Sequence, residues 1–321
     1  MSELLKNIDA RTRLAGTNKL EILLFSLGTD LRTGRKESFG INVFKVREVM
    51  RTPQITAAPD MPAGVEGMVS LRGQLVPIVD LAKYCEIDPD GKREIMIVTE
   101  YNGHTQGFLV EGVDTILRLD WSQMRVPPEM MTTKLGGLVT AVTELEDGRL
   151  IMMLDVERVL AETSRYDDDY LFKDIQPIGR DFTVLFADDS SVARKQIEKT
   201  LNTLGVRYVA TVNGRAAWDE LDRIAKHAEV TGRKVWEMLH LVLTDVEMPE
   251  MDGYILTKKI KSDPRFDGVP VLMHSSLSSM SNQTLGKSVG VDGYVPKFEP
   301  HRLADAVRRM LAPDQVVEAI S

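Results

Sequence analysis

Along the first half of the chain, short apolar runs separated by polar turn segments read as a series of strands. EILLFSLG opens the series near residue 21, and ESFGINV follows after a polar turn. VSLRGQLVPIVDLAKY, REIMIVTEYNGHTQGFLVEGV and GLVTAVTELEDGRLIMMLDV continue it. Asn102-Gly103 and Asp147-Gly148 each separate two such runs. These dipeptides supply the positive φ of a two-residue hairpin turn. Short strands punctuated this regularly predict an all-β sandwich or barrel over residues 18–163. No cluster of His, Cys, Ser or acidic residues with catalytic spacing falls in this half. Its default reading is a binding or scaffolding module.

Residues 164–181, SRYDDDYLFKDIQPIGRD, carry an acidic run, a proline and a glycine but no sustained period, and read as a linker. From residue 182 to 314 the grammar changes to strands alternating with helices. TVLFA precedes SVARKQIEKTLNTLG, in which Ala193, Ile197, Leu201 and Leu204 share one helical face. YVATV, HLVLT, PVLMH and DGYVP are the next strands, each leading to a helical segment. Five strands alternating with five helices predict a parallel sheet covered on both faces. Arg223 to Glu237 exceeds a minimal connection and reads as a lengthened helix or a surface insertion. Residues 1–17 and 315–321 are left as tails.

An open parallel sheet binds ligands at the carboxyl ends of its strands, where strand order reverses. The residues at those ends are Asp188-Asp189, Asp245, Ser275-Ser276 and Lys297. Taken singly, Asp189 is a helix cap, Ser275 a turn hydroxyl and Lys297 a solvated charge. Their convergence at one crevice is hard to explain as fold maintenance. Two carboxylates about 4 Å apart repel by roughly 4 kcal/mol at an effective dielectric near 20, so three of them require a cation or a proton. Mg²⁺ suits such oxygen ligands, because it keeps several waters and accepts few carboxylates plus a phosphate. Asp245, alone at the end of the central strand, is then the candidate nucleophile for an aspartyl-phosphate. Lys297 would neutralise the transferred group, and the Ser275 hydroxyl would donate to one of its oxygens. Glu250 and Asp252, in the same turn, read as solvated acids near a helix start.

Composition narrows the classes. The 321 residues suffice for two domains, with 43% hydrophobic and 27% charged residues. The net charge of -8 argues against nucleic acid as a partner. No apolar run is long enough to insert in a membrane, and the charged N-terminus lacks the apolar core of a signal peptide, so the cytoplasm is the expected compartment. A single cysteine, Cys85, allows no internal disulfide and reads as a buried structural thiol.

FADDSSVAR, LTDVEMPEMDGY, MHSSLSS and GYVPKF together resemble the receiver domain of two-component response regulators. The resemblance implies a flavodoxin-like fold, Asp245 as phosphoacceptor, and Asp188 and Asp189 as Mg²⁺ acids. It further implies the backbone carbonyl of Glu247 as a metal ligand and Ser275 with Tyr294 as a switch pair. Phe298 follows Lys297 where receivers usually have proline, and Ser275-Ser276 replaces their usual Thr-Ala.

In the first half, FKVREV, GMVSLRGQLVPIVDL and IMMLDVERVL resemble the CheW coupling family of bacterial chemotaxis. That family implies two small SH3-like β-barrels docking a CheA-type histidine kinase and a chemoreceptor tip, with Arg72 and Glu48 as candidate interface residues. A CheW-like half joined to a receiver is similar to the CheV architecture. It implies a non-enzymatic adaptor at membrane chemoreceptor arrays, regulated by phosphorylation as adaptation or as a phosphate sink. A second class shares part of the pattern: Mg²⁺-dependent phosphatases with an aspartyl nucleophile carry D-x-D-x-T on their first strand, where this chain has Asp188-Asp189-Ser190. A transcriptional regulator would need a DNA-binding domain, for which the β-rich half offers no helix-turn-helix signature.

Overall fold

A computed structural model describes residues 19–312 apart from 58, 63, 102–103, 129–137, 164–170, 276–285 and 298. The chain divides into two compact units, with the break between Arg165 and Tyr166.

The first unit contains β1 (Lys19–Asp30), β2 (Arg35–Asn42), β3 (Val46–Arg51), β4 (Val65–Leu71), β5 (Gln74–Asp80) and α1 (Leu81–Tyr84). Next come β6 (Ile95–Tyr101), β7 (His104–Val110), β8 (Gly112–Asp120), β9 (Val139–Glu144), β10 (Leu150–Leu154) and α2 (Val156–Thr163). They form two five-stranded sheets, ordered β8-β1-β2-β10-β9 and β3-β6-β7-β5-β4. Each sheet curls until its edges meet. Past β8, Arg125 exchanges two backbone hydrogen bonds with Val142 of β9, at 2.9 and 2.8 Å. Past β3, Thr56 does the same with Met68 of β4, at 2.9 Å each. Gly67 permits the second closure: its φ is +144°, and a Cβ there would lie 2.3 Å from the Thr56 carbonyl oxygen. Two closed sheets agree with the two barrels expected.

Strand β1 shows why its run from Ile22 to Phe25 is unbroken apolar sequence. Leu20, Ile22 and Leu24 face one core with Trp121, Ile151 and Met153. Leu23, Phe25 and Leu27 face another, shared with Val79, Ile97 and Phe108 of the other sheet. Both faces are buried, so strict alternation is lost. Arg72 and Gly73 form a two-residue turn between β4 and β5, with φ of +49° and +84°. Pro77 sits in an interior strand, but pairing with β7 begins only at Ile78, so the ladder tolerates it. Tyr101 pairs with His104 across the expected first hairpin, whose Asn102-Gly103 lies outside the described residues. The second hairpin departs from the expected two-residue turn. Leu145 donates to Arg149 O and Gly148 donates to Leu145 O, both at 2.9 Å, which leaves a three-residue loop with Gly148 left-handed.

The second unit alternates β11 (Thr183–Ala187), α3 (Ser191–Leu204), β12 (Arg207–Thr211), α4 (Gly214–Thr231), β13 (Leu241–Thr244) and α5 (Gly253–Ser262). It continues with β14 (Val271–Ser275), β15 (Gly293–Pro296) and α6 (Pro300–Leu311). All strand pairs are parallel, in the order β12-β11-β13-β14-β15, the flavodoxin-like arrangement. The helix expected between β14 and β15 falls largely within residues 276–285, outside the described residues; Gly286 to Ser288 are helical. Of Arg223 to Glu237, the part up to Thr231 is the lengthened end of α4, stopped by left-handed Gly232, and the rest leads into a 3-10 turn at Val235–Glu237. Phe172, Ile175 and Ile178, from the stretch before β11, are buried in this unit's core beside Ile197, Leu201 and Leu204. Among the described residues no helix is long and apolar enough to cross a membrane.

Candidate functional site

Strand order reverses between β11 and β13, and the acidic residues sit there. Asp188 and Asp189 follow β11 directly, and Asp245 follows β13. Ligand oxygens of the three lie within 4.8 Å of one another. The turn after β11 is tied at several points. The Asp188 N–H donates to Thr211 O at 3.2 Å, and the Ser190 N–H donates to Asp188 Oδ1 at 2.9 Å. Ser190, not Asp189, caps α3 by accepting from the Ala193 N–H at 3.4 Å. The capping role that Asp189 could have filled is therefore taken. Arg194, one turn into α3, donates Nη1 to the carbonyls of both Asp188 and Asp189.

The turn after β13 is built around Gly253. A Cβ at that position would lie 2.0 Å from the Asp245 carbonyl oxygen. Asp252 was expected as a solvated acid; it is instead buried and caps α5 by accepting from the Ile255 N–H at 2.7 Å. The Ile255 N–H gives its carboxylate a protein donor in place of water. Glu250 is only partly exposed and adopts φ +65°. Glu247, two residues past Asp245, is likewise half-buried.

Lys297, at the end of β15, is buried and joins the two turns. Its Nζ lies 2.8 Å from Asp188 Oδ2 and 2.8 Å from Asp245 Oδ2. Burial pushes the Asp245 carboxyl up, to about 7, even though the Lys297 ammonium pulls it down; the Asp189 and Glu247 charges add to the rise. Ser275 is buried at the end of β14, and its side chain shares a hydrogen bond with Tyr294. Tyr294 packs with Met273, Tyr254 and Val246, and burial raises its phenol to about 12, so it keeps its proton near neutrality. His274 escaped the sequence reading: it is buried, with Nδ1 3.9 Å from Asp188 Oδ2. Phe298 and Ser276 lie outside the described residues.

The donor set fits a hard divalent cation. With all three carboxylates ionised, the single Lys297 ammonium leaves the cluster two charges negative, and every ligand atom is oxygen.

In the first unit, Arg72 and Glu48 are brought together. Arg72 Nη2 lies 2.9 Å from Glu48 Oε2, with the Arg72 side chain 70% exposed. Barrel closure makes this contact, since β3 and β4 are opposite edges of their sheet.

Two family models match the chain: the CheW-like domain over residues 21–164 and the response regulator receiver domain over residues 184–308. Chemotaxis protein CheV3 of Helicobacter pylori (strain ATCC 700392 / 26695) is 31% identical over 277 residues, covering 85% of this chain and 88% of its own length. The chain belongs to the CheV family. CheV1 and CheV2 of the same strain are 26% and 28% identical over 97% and 96% of this chain, and 99% and 100% of their own. A CheW-like domain followed by a receiver is the composition of this family's chemotaxis coupling adaptors.

Proposed function

We propose that the chain couples chemoreceptors to a CheA-type histidine kinase through its CheW-like unit, at membrane-associated receptor arrays, and that phosphorylation of Asp245 regulates it. The observation that carries the regulatory half is the Lys297 ammonium held between Asp188 and Asp245. Asp188, Asp189, Asp245 and the Glu247 carbonyl would hold Mg²⁺. That ion supplies positive charge to the phosphoryl oxygens. An Asp245 oxygen attacks the phosphorus of the kinase's phosphohistidine. The P–O bond forms as the P–N bond breaks, and the departing imidazole takes up a proton. Lys297 compensates the added charge as a compact point cation.

The new phosphoryl oxygens then compete with Tyr294 for the Ser275 hydroxyl. A side chain released from that hydrogen bond shifts its population, which is how a local charge becomes a surface signal. The outcome is either altered coupling or drainage of phosphate from the kinase. Kinase turnover in the presence of wild type and of Asp245→Ala separates the two. The coupling half is tested by co-sedimentation of the full chain with receptor-bearing membranes and kinase. Recovery of all three in one pellet is expected; a chain left in the supernatant contradicts it.

A further inference from the structure

We propose that Arg194 is the positioning residue of the acidic pocket, its guanidinium clamping the Asp188 and Asp189 carbonyls and thereby fixing where their carboxylates stand. The inference rests on reading the pocket as a Mg²⁺ site. In sequence, an arginine in the first turn of an amphipathic helix is an ordinary surface charge, and it is poorly placed with respect to the helix dipole. In the structure it is half-buried and turned back toward the strand end it follows. One nitrogen, Nη1, donates to Asp188 O at 2.8 Å and to Asp189 O at 2.9 Å.

Carbonyls of successive residues aimed at one point repel as parallel dipoles, and a shared cationic donor makes that arrangement favourable. With both carbonyls drawn inward toward α3, the backbone of the turn is set, and so are the directions of the two side chains. Asp188 has further ties through Ser190 and Lys297. Arg194 also joins the Asp189 peptide to the helix. Asp189 is also the partly exposed member of the acidic cluster, the one whose position the surrounding core constrains least. Holding the two acids in register before a cation arrives is the work of an outer-shell group, and losing such a group typically costs about 10- to 100-fold in metal affinity.

Calorimetric titration of the full-length protein with MgCl₂ tests this, with folding checked by circular dichroism. Arg194→Met removes the donor, Arg194→Gln keeps a donor too short to span both carbonyls, and Arg194→Lys restores one cationic nitrogen. Leu204→Ala, on the same helix but buried in the core away from the pocket, serves as a stability control. The expected result is Mg²⁺ binding about 10-fold weaker in the Met and Gln variants. Lys should recover part of the loss, and Leu204→Ala should lower the melting temperature without moving the Kd. Should the Met variant fail to fold, the Gln variant decides. A folded Met or Gln variant binding Mg²⁺ within twofold of wild type overturns the role of Arg194. A wild type that takes up no Mg²⁺ overturns the reading of the pocket itself.

Discussion

Lys297 Nζ stands 2.8 Å from Asp188 Oδ2 and at the same distance from Asp245 Oδ2, so one ammonium links the two sides of the sheet's reversal point. Replacing it with Met leaves buried carboxylates uncompensated. Removing one partner of a buried ion pair costs about 3–5 kcal/mol, and that loss is expected in denaturant titrations run with chelator. Added Mg²⁺ should recover part of it. Loss of a preorganised charge at the reacting group should lower phosphoryl acceptance about 100-fold or more.

The raised Asp245 carboxyl makes a pH prediction of definite sign. An acid whose folded pKa lies near 7 rather than its usual 3.8 favours the folded state fully only below 3.8, and the benefit is lost as pH rises through 7. Asp245→Asn has no such dependence. In metal-free buffer the variant should gain stability over wild type between pH 4 and pH 8, by at most about 4 kcal/mol. Thermal denaturation across that range reads the difference. A constant gap at all pH values would contradict the burial argument.

Gly253→Ala should be costly although alanine is the better helix former. Its Cβ would lie 2.0 Å from the backbone carbonyl of Asp245, and backbone cannot swing aside as a side chain can. A loss at or above the usual overpacking range of about 1–3 kcal/mol is expected in chemical denaturation. Phosphoryl acceptance should fall too, because the displaced carbonyl belongs to the acceptor residue.

The Arg72–Glu48 pair separates stability from recognition. It is largely exposed on the arginine side, and such pairs contribute about 0.2–1 kcal/mol, so Arg72→Ala should barely move the melting temperature. If this edge is a docking surface, the same substitution should weaken recovery of the chain with receptor and kinase at least several-fold. Unchanged recovery would remove Arg72 and Glu48 from the interface.

The pocket was readable because a parallel α/β sheet delivers its strand ends to one place, so TVLFA, HLVLT, PVLMH and DGYVP each point to the residue that follows. What could not be read depends on contacts that leave no period. Single-residue bridges at Thr56 and Arg125 close the two barrels, and one paired residue makes no sequence pattern. Asp252 and Asp189 have the same chemistry and similar settings at helix starts, yet one is a buried cap and the other is not, which only the turn geometry decides. Phe172, Ile175 and Ile178 lie in a polar stretch without periodicity, and they are buried by joining one core cluster with residues of α3 and α6. Arg194 resembles any helical surface charge until its backbone partners are seen.

The most direct measurement mixes the full-length protein with a CheA-type kinase carrying labelled phosphohistidine, in Mg²⁺. Label should pass to the wild type, in an acyl-phosphate form labile to hydroxylamine, and should not pass to Asp245→Ala. No transfer to the wild type, or equal transfer to Asp245→Ala, would contradict Asp245 as the acceptor.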